Sequence, residues 1–230
     1  MTDRPVWYYD EFQHVGTDYG SVEEVRIYDE RMQSLRDVAG ECEAILRALD
    51  LTPGSTLIEI GTGTGEFAVH AAQHGMKVYA LDISRIMLDY ARQKAASRGV
   101  AGIEFINAGF LTYEHCGEPA DAVVSQLALH HLPDFWKAVA LKRIADMLSP
   151  TGRFYLWDVV FPSADYESAI GKWISSAPDA RLAEDIARHV KCEYSTLDWI
   201  MDGLLTSAGL PLISTEHYGV FAKYLCRKNG

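Results

Sequence analysis

Apolar positions recur along this chain at two different spacings. Between residues 21 and 51, Val22, Val25, Met32, Leu35, Val38, Ile45, Leu46 and Leu49 fall at roughly helical intervals. Thr52-Pro53-Gly54 then breaks the helix. From Ser55 onward short apolar runs alternate with amphipathic stretches. TLIEIG predicts a buried strand, Glu66 to His74 a helix ended by Gly75, and KVYALD a second strand. Ser84 caps a helix reaching about Arg98. IEFINA and DAVVSQL predict the third and fourth strands. Asp134 to Leu148 predicts a helix ended near Pro150 and Gly152, and RFYLWDVVF a fifth strand. Residues 163 to 207 read as mostly helical, and PLISTEHY with VFAKYLCRK as a closing strand pair around Gly219.

Strands alternating with helices imply an α/β fold: a doubly wound, mostly parallel sheet between two helical layers. The closing hairpin adds one antiparallel strand at or near an edge. Two regions are expected, a helical lead-in over 1–50 and a ligand-binding domain over 51–230, with a helical insert over about 163–207.

Composition narrows the partners. The 230 residues suit one α/β domain, and 48% are apolar, which excludes a disordered chain. A net charge of −11 leaves no basic stripe for a nucleic-acid backbone. The expected partners are a small-molecule substrate, no nucleic acid, and at most a second copy in a homodimer. Cys42, Cys116, Cys192 and Cys226 lie far apart with no CxxC pair, so free thiols and no metal site are expected. MTDRPVWYYDEF has no signal pattern, and no apolar run is long enough to cross a bilayer. A cytoplasmic protein is expected.

In open sheets of this kind ligands bind outside the carboxyl ends of the strands. The residues there are Gly61, Asp82, Ala108 with Gly109, Gln126 through His131, Asp158, and His217 with Tyr218. Gly61, Gly63 and Gly65 allow a tight turn and close backbone approach ahead of a helix N-terminus. Asp82 ends the second strand, where a carboxylate accepts both hydroxyls of a ribose. Two nucleosides compete. Gly63 to Ala68 fits the dinucleotide G-x-G-x-x-A pattern only with the loop two residues late, and it leaves Glu59 unexplained. The other candidate is S-adenosylmethionine.

Glu59-Ile60-Gly61-Thr62-Gly63-Thr64-Gly65 resembles motif I of the Rossmann-like, class I S-adenosylmethionine-dependent methyltransferases. The resemblance runs from about Ser55 to Phe161 and continues at Asp82-Ile83, DAVVSQLALHHLPD and LSPTGRFYLWDVV. ALHHLPD is similar to small-molecule and quinone-type members. The resemblance implies a seven-stranded sheet with the last strand antiparallel, and S-adenosylhomocysteine as product. It implies cofactor contacts from Glu59, Gly61, Thr62, Gly63, Gly65, Asp82, Ile83, Met87, Gln126 and Leu127. Tyr19 and Tyr28 are candidates for the methionine carboxylate. The family often places an acidic residue after the third strand to bond the adenine amine. Here the stretch is Asn107-Ala108-Gly109-Phe110, so Gly109 and Phe110 backbone groups or the Asn107 amide take that role.

Methyl transfer from a sulfonium is an in-line displacement, for which alignment is the main requirement. A general base helps where the acceptor holds its proton tightly. His130 and Asp158 are the candidate bases, with His131 ranked below His130. Trp7, Tyr8, Tyr9, Phe12, His14 and Tyr19 make an aromatic lead-in suited to a lid that excludes water. A sensor that binds the cofactor without transfer is the alternative. An NAD-dependent oxidoreductase ranks lower, since no Tyr-x-x-x-Lys stands at the rim.

Overall fold

The computed structural model describes residues 5–13, Val25 and 37–229. Helix α1 (Val38–Leu49) is capped by the Asp37 side chain. Then follow β1 (Thr56–Ile60), α2 (Glu66–Gln73), β2 (Lys77–Asp82), α3 (Arg85–Ser97), β3 (Ile103–Asn107) and β4 (Ala120–Gln126). A 3₁₀ turn (Leu129–His131) leads into α4 (Asp134–Met147) and β5 (Leu148–Phe161). The insert holds α5 (Tyr166–Ser175), α6 (Ala180–Cys192), the short β6 (Thr196–Leu197) and α7 (Asp198–Ser207). β7 (Leu212–Tyr218) and β8 (Phe221–Arg227) close the chain.

The main sheet runs β3-β2-β1-β4-β5-β8-β7, and β6 pairs with the end of β5. β1 to β5 are mutually parallel, and β8 lies antiparallel between β5 and β7. The antiparallel strand is therefore one place in from the edge, as the hairpin reading allowed.

Strand alternation sorts side chains onto two faces. Ile58, Ile60, Val123, Phe154 and Leu156 pack with Leu141 and Ile144 of α4 and Leu205 of α7. Leu57, Val124, Tyr155 and Trp157 pack on the other face with Ile45 and Leu49 of α1 and Phe67 of α2. A one-residue slip would exchange the two sets, so the apolar pattern fixes register. Strand order reverses direction between β1 and β4, and the crevice at their carboxyl ends is where such sheets take ligands. The lead-in departs from expectation: residues 5–13 form turns and bends, whereas α1 is helical as read. Among the described residues no helix is long and apolar enough to cross a membrane.

Candidate active site

A cleft of about 880 Å³, counting its open mouth, lies at those strand ends. Gly61, Gly63, Asp82, Ile83 and Met87 line one side. Ala108, Gly109 and Phe110 follow β3, and Gln126, Leu127 and Ala128 follow β4. Thus nine of the cofactor contacts expected from the sequence are brought to one cavity. Glu59, Thr62 and Gly65 stand outside its lining. Tyr19, Tyr28 and His14 lie outside the described residues.

The glycine loop is built for two purposes. Gly61, Gly63 and Gly65 all have positive φ (81°, 55° and 78°). A Cβ at Gly61 would stand 2.4 Å from Ala128 Cβ, and one at Gly65 2.7 Å from Ala91 Cβ, so both glycines permit close packing. A Cβ at Gly63 would meet nothing within 4 Å, so that residue borders open space.

The loop is pinned from below and from the side. Glu59 is buried, accepts from Thr62 Oγ1 at 2.6 Å, and has Gln126 Nε2 at 3.5 Å. Loss of hydration pushes its pKa up to about 8, since an ionised carboxylate is poorly solvated there. Asp82 Oδ2 accepts from the Gly63 N–H at 2.8 Å, and Oδ1 from the Ser84 N–H at 2.8 Å. Lys94 Nζ donates to Thr64 Oγ1 (3.1 Å) and Glu66 Oε2 (2.9 Å), and Arg98 forks onto both Glu66 oxygens. These cations hold the Glu66 carboxyl below the usual range. At the β4 end, Leu127 has a positive φ (51°), uncommon for a residue with a branched side chain, and it lines the cleft.

Asn107 does not take the role expected of it. Its Nδ2 donates to the Asp82 and Ile83 carbonyls at 3.0 and 2.9 Å, and its Oδ1 accepts from Arg85. The amide is committed to holding the turn after β2, and Asn107 is not in the cleft lining. The carboxylate missing after β3 arrives from elsewhere. Glu11 lines the cleft and is 6% exposed. Its Oε1 accepts from Leu111 N–H (3.1 Å) and Thr112 N–H (2.7 Å), and its Oε2 from Leu111 N–H (2.9 Å). Glu11 Oε2 lies 2.5 Å from where a Gly109 Cβ would be. The carboxylate fills the space left by the missing side chain of Gly109. Sequence reading missed this, because nothing local links residues 11 and 109.

The lead-in is anchored beside Glu11 by aromatic contacts. Tyr8, Tyr9 and Trp7 place their ring centroids 4.8, 6.0 and 6.4 Å from that of Trp136 on α4. Gln13 also lines the cleft.

The two candidate bases are placed differently from expectation. His130 is 5% exposed and Asp158 1%, and neither lines the cleft. His130 Nδ1 bonds Asp158 Oδ1, while Asp158 Oδ2 accepts the His130 backbone N–H at 3.0 Å. The Asp158 carboxylate holds the His130 pKa up, and reciprocally its own is held low. His131, ranked second from the sequence, is the one that lines the cleft. The two rings lie side by side, 4.4 Å between centroids, and the 3₁₀ turn leaves His131 on the cleft with His130 packed behind it. Burial and the neighbouring His130 hold the His131 pKa below its ordinary value.

Comparison with known proteins identifies the family and the fold. Residues 57–152 match the family model described as a methyltransferase domain. An uncharacterized methyltransferase of Geobacillus kaustophilus is 30% identical over 182 residues, covering 79% of this chain and 80% of the relative. A SAM dependent methyltransferase from Aquifex aeolicus shares the fold with a TM-score of 0.62 and 18% identity, covering 90% of this chain and 98% of that one. Magnesium protoporphyrin IX methyltransferase from Synechocystis, solved with bound S-adenosylhomocysteine, does so with a TM-score of 0.62 and 19% identity over 95% of this chain and 91% of that one. The chain belongs to the methyltransferase family, and it shares its fold with solved S-adenosylmethionine-dependent members.

Proposed function

We propose that this chain transfers a methyl group to a small molecule, and that the cleft beneath Glu11 holds the donor. The observation that carries the reading is the convergence of Asp82, Gly63 and the Glu11 carboxylate on one cavity. Each fits a different part of a nucleoside. Gly63 leaves room for close approach. Asp82 is held by the Gly63 and Ser84 N–H groups, and its carboxylate suits ribose hydroxyls. Ile83 and Met87 supply apolar walls for a base. Glu11 accepts three hydrogen bonds from two backbone N–H groups, and a carboxylate has about four acceptor sites, so one suits the adenine amine. Residues 5–13 would then act as a lid whose closure and donor binding are one event.

When bound, S-adenosylmethionine supplies a methyl group whose leaving thioether is already activated by positive charge. The protein's task is orientation and exclusion of water, worth roughly 7–11 kcal/mol where alignment is complete. His131 faces the cleft as a hydrogen-bonding imidazole that can orient an acceptor. His130 and Asp158 act behind it as positioning groups.

Calorimetric titration with S-adenosylmethionine, S-adenosylhomocysteine and NAD tests the cofactor. Micromolar binding of the first two and none of NAD is expected, and binding of NAD alone would overturn the reading. A screen of small acceptors with labelled donor then separates transfer from sensing. Tight donor binding with no turnover on any acceptor class would favour the sensor.

A further inference from the structure

Behind the His131 wall lies a buried cluster of which the methyl-transfer reading uses only His130 and Asp158, as positioning groups. Its residues come from three elements: His130 from the 3₁₀ turn, Asp158 from β5, and His189 and Glu193 from α6 and its end. Their side chains are 6%, 1%, 14% and 4% exposed. One oxygen, Glu193 Oε2, faces His130 Nε2 at 3.2 Å and His189 Nδ1 at 2.5 Å. The three ligand-type atoms all lie within 4.8 Å of one another.

The remote nitrogen of each ring is held. Asp158 takes His130 Nδ1 and is itself fixed by the His130 and Val159 backbone N–H groups. Ser195 Oγ takes His189 Nε2 at 2.8 Å. Trp173 stands edge-on to His189 at 5.3 Å and shields that side. Imidazoles oriented from behind, with their front nitrogens converging beside a carboxylate, are the arrangement that metal-ligating histidines show. Two buried carboxylates face this group, and a protonated imidazole offsets only part of their charge. One divalent cation matches it while both imidazoles stay neutral.

We propose that His130 Nε2, His189 Nδ1 and Glu193 form a binding site for a divalent transition-metal ion of the zinc class. Bonds of about 2.0–2.2 Å in tetrahedral geometry place ligand atoms roughly 3.3 Å apart. The His130–Glu193 separation already matches, and the His189–Glu193 contact has to open by under about 1 Å. Two imidazoles and a carboxylate suit zinc and related first-row ions. The ion would tie the end of α6 to the ends of β4 and β5. A backbone bond from Tyr194 N–H to the His130 carbonyl (2.8 Å) already joins these parts. Sequence reading missed this site, since His130 stands 59 and 63 residues before His189 and Glu193, outside any zinc-finger spacing.

The test reads ion binding directly and needs no turnover. The full chain, stripped with a chelator, is titrated with zinc and separately with cobalt(II). The expected result is one ion per chain at micromolar affinity or tighter, visible cobalt bands of a low-coordinate nitrogen/oxygen site, and a raised Tm. Glu193→Gln and His189→Ala should each weaken binding by at least roughly 10-fold, and Asp158→Asn by about 10–100-fold through loss of ring orientation. His74→Ala is the control, because Glu43, His70 and His74 form a second, partly exposed group of ligand type. Binding abolished by His74→Ala but not by Glu193→Gln would overturn the proposal. So would the absence of stoichiometric zinc in the unmutated protein, which leaves the cluster as a hydrogen-bonded ion network.

Discussion

A single buried carboxyl under the glycine loop carries a testable pH signature. Glu59 has its pKa raised from 4.5 to about 8 by burial. The native state therefore keeps a proton that the unfolded chain has already released. Between these two values the native state binds more protons, so unfolding free energy falls as pH rises. The contribution is complete below about pH 4.5 and declines through pH 8. Glu59→Gln holds a neutral group of the same shape at every pH. The variant should remove a slope of at most about 1.4 kcal/mol per pH unit from the difference in stability. Chemical denaturation of both proteins from pH 5 to 8 measures it; parallel curves would show that Glu59 is ionised in the fold. Leu127 shares a positive φ with Asp50 among the described non-glycine residues, and it is Leu127 that stands at the cleft, where backbone strain tends to be kept for function.

At the scale of elements, the strand–loop–helix unit β1–α2 is braced by two cations from α3 and its C-cap. Lys94 in the last turn of α3 and Arg98 at its C-cap reach back to Glu66 at the first turn of α2. The Glu66 charge also suits a helix N-terminus. Lys94 is 8% exposed, so removing its partner leaves a charge in a poor place for one. Glu66→Ala should cost about 2 kcal/mol, below the fully buried case because Glu66 is partly exposed. Urea unfolding reads the loss, and donor affinity should fall with it as the glycine loop loosens. An unchanged midpoint would mean that apolar packing alone positions α2. Ser84 caps α3 while Asn107 bonds the carbonyls of Asp82 and Ile83. The turn that presents Asp82 is thus fixed from both sides.

For the molecule as a whole, Glu11 links the lead-in to the cleft. The bonds from Leu111 and Thr112 span about a hundred positions of sequence. Glu11→Ala should weaken S-adenosylhomocysteine binding by about tenfold or more, the loss of a charge-assisted hydrogen bond together with its ordering role. Gly109 adopts no positive φ, so an aspartate is permitted there. The double variant Glu11→Ala, Gly109→Asp puts a carboxylate back into the same space and should recover much of the affinity. Calorimetry with S-adenosylhomocysteine and with its analogue lacking the adenine amine makes the comparison. Equal losses for both ligands would show that Glu11 shapes the lid without touching the base.

Local pattern alone determined a good deal here. The alternation of short apolar strands with amphipathic helices was enough to give the order of elements from β1 to β5 and the closing pair β7–β8, though not the short β6, because side-chain period and burial are set within a few residues. The glycine run, Asp82 and the residues after β3 and β4 could be placed on one rim for the same reason: strand ends in a parallel sheet share an edge. Tertiary structure decided what depends on contacts between distant segments. It chose His131 over His130 for the cleft, since one step in a 3₁₀ turn reverses which side chain is buried. It supplied Glu11 where Gly109 has no side chain, and it gathered His130, His189 and Glu193 behind the wall. Periodicity reports which face a residue takes on its own element. It carries no information about which other element will cover that face, and that is settled only when the sheet and helices pack.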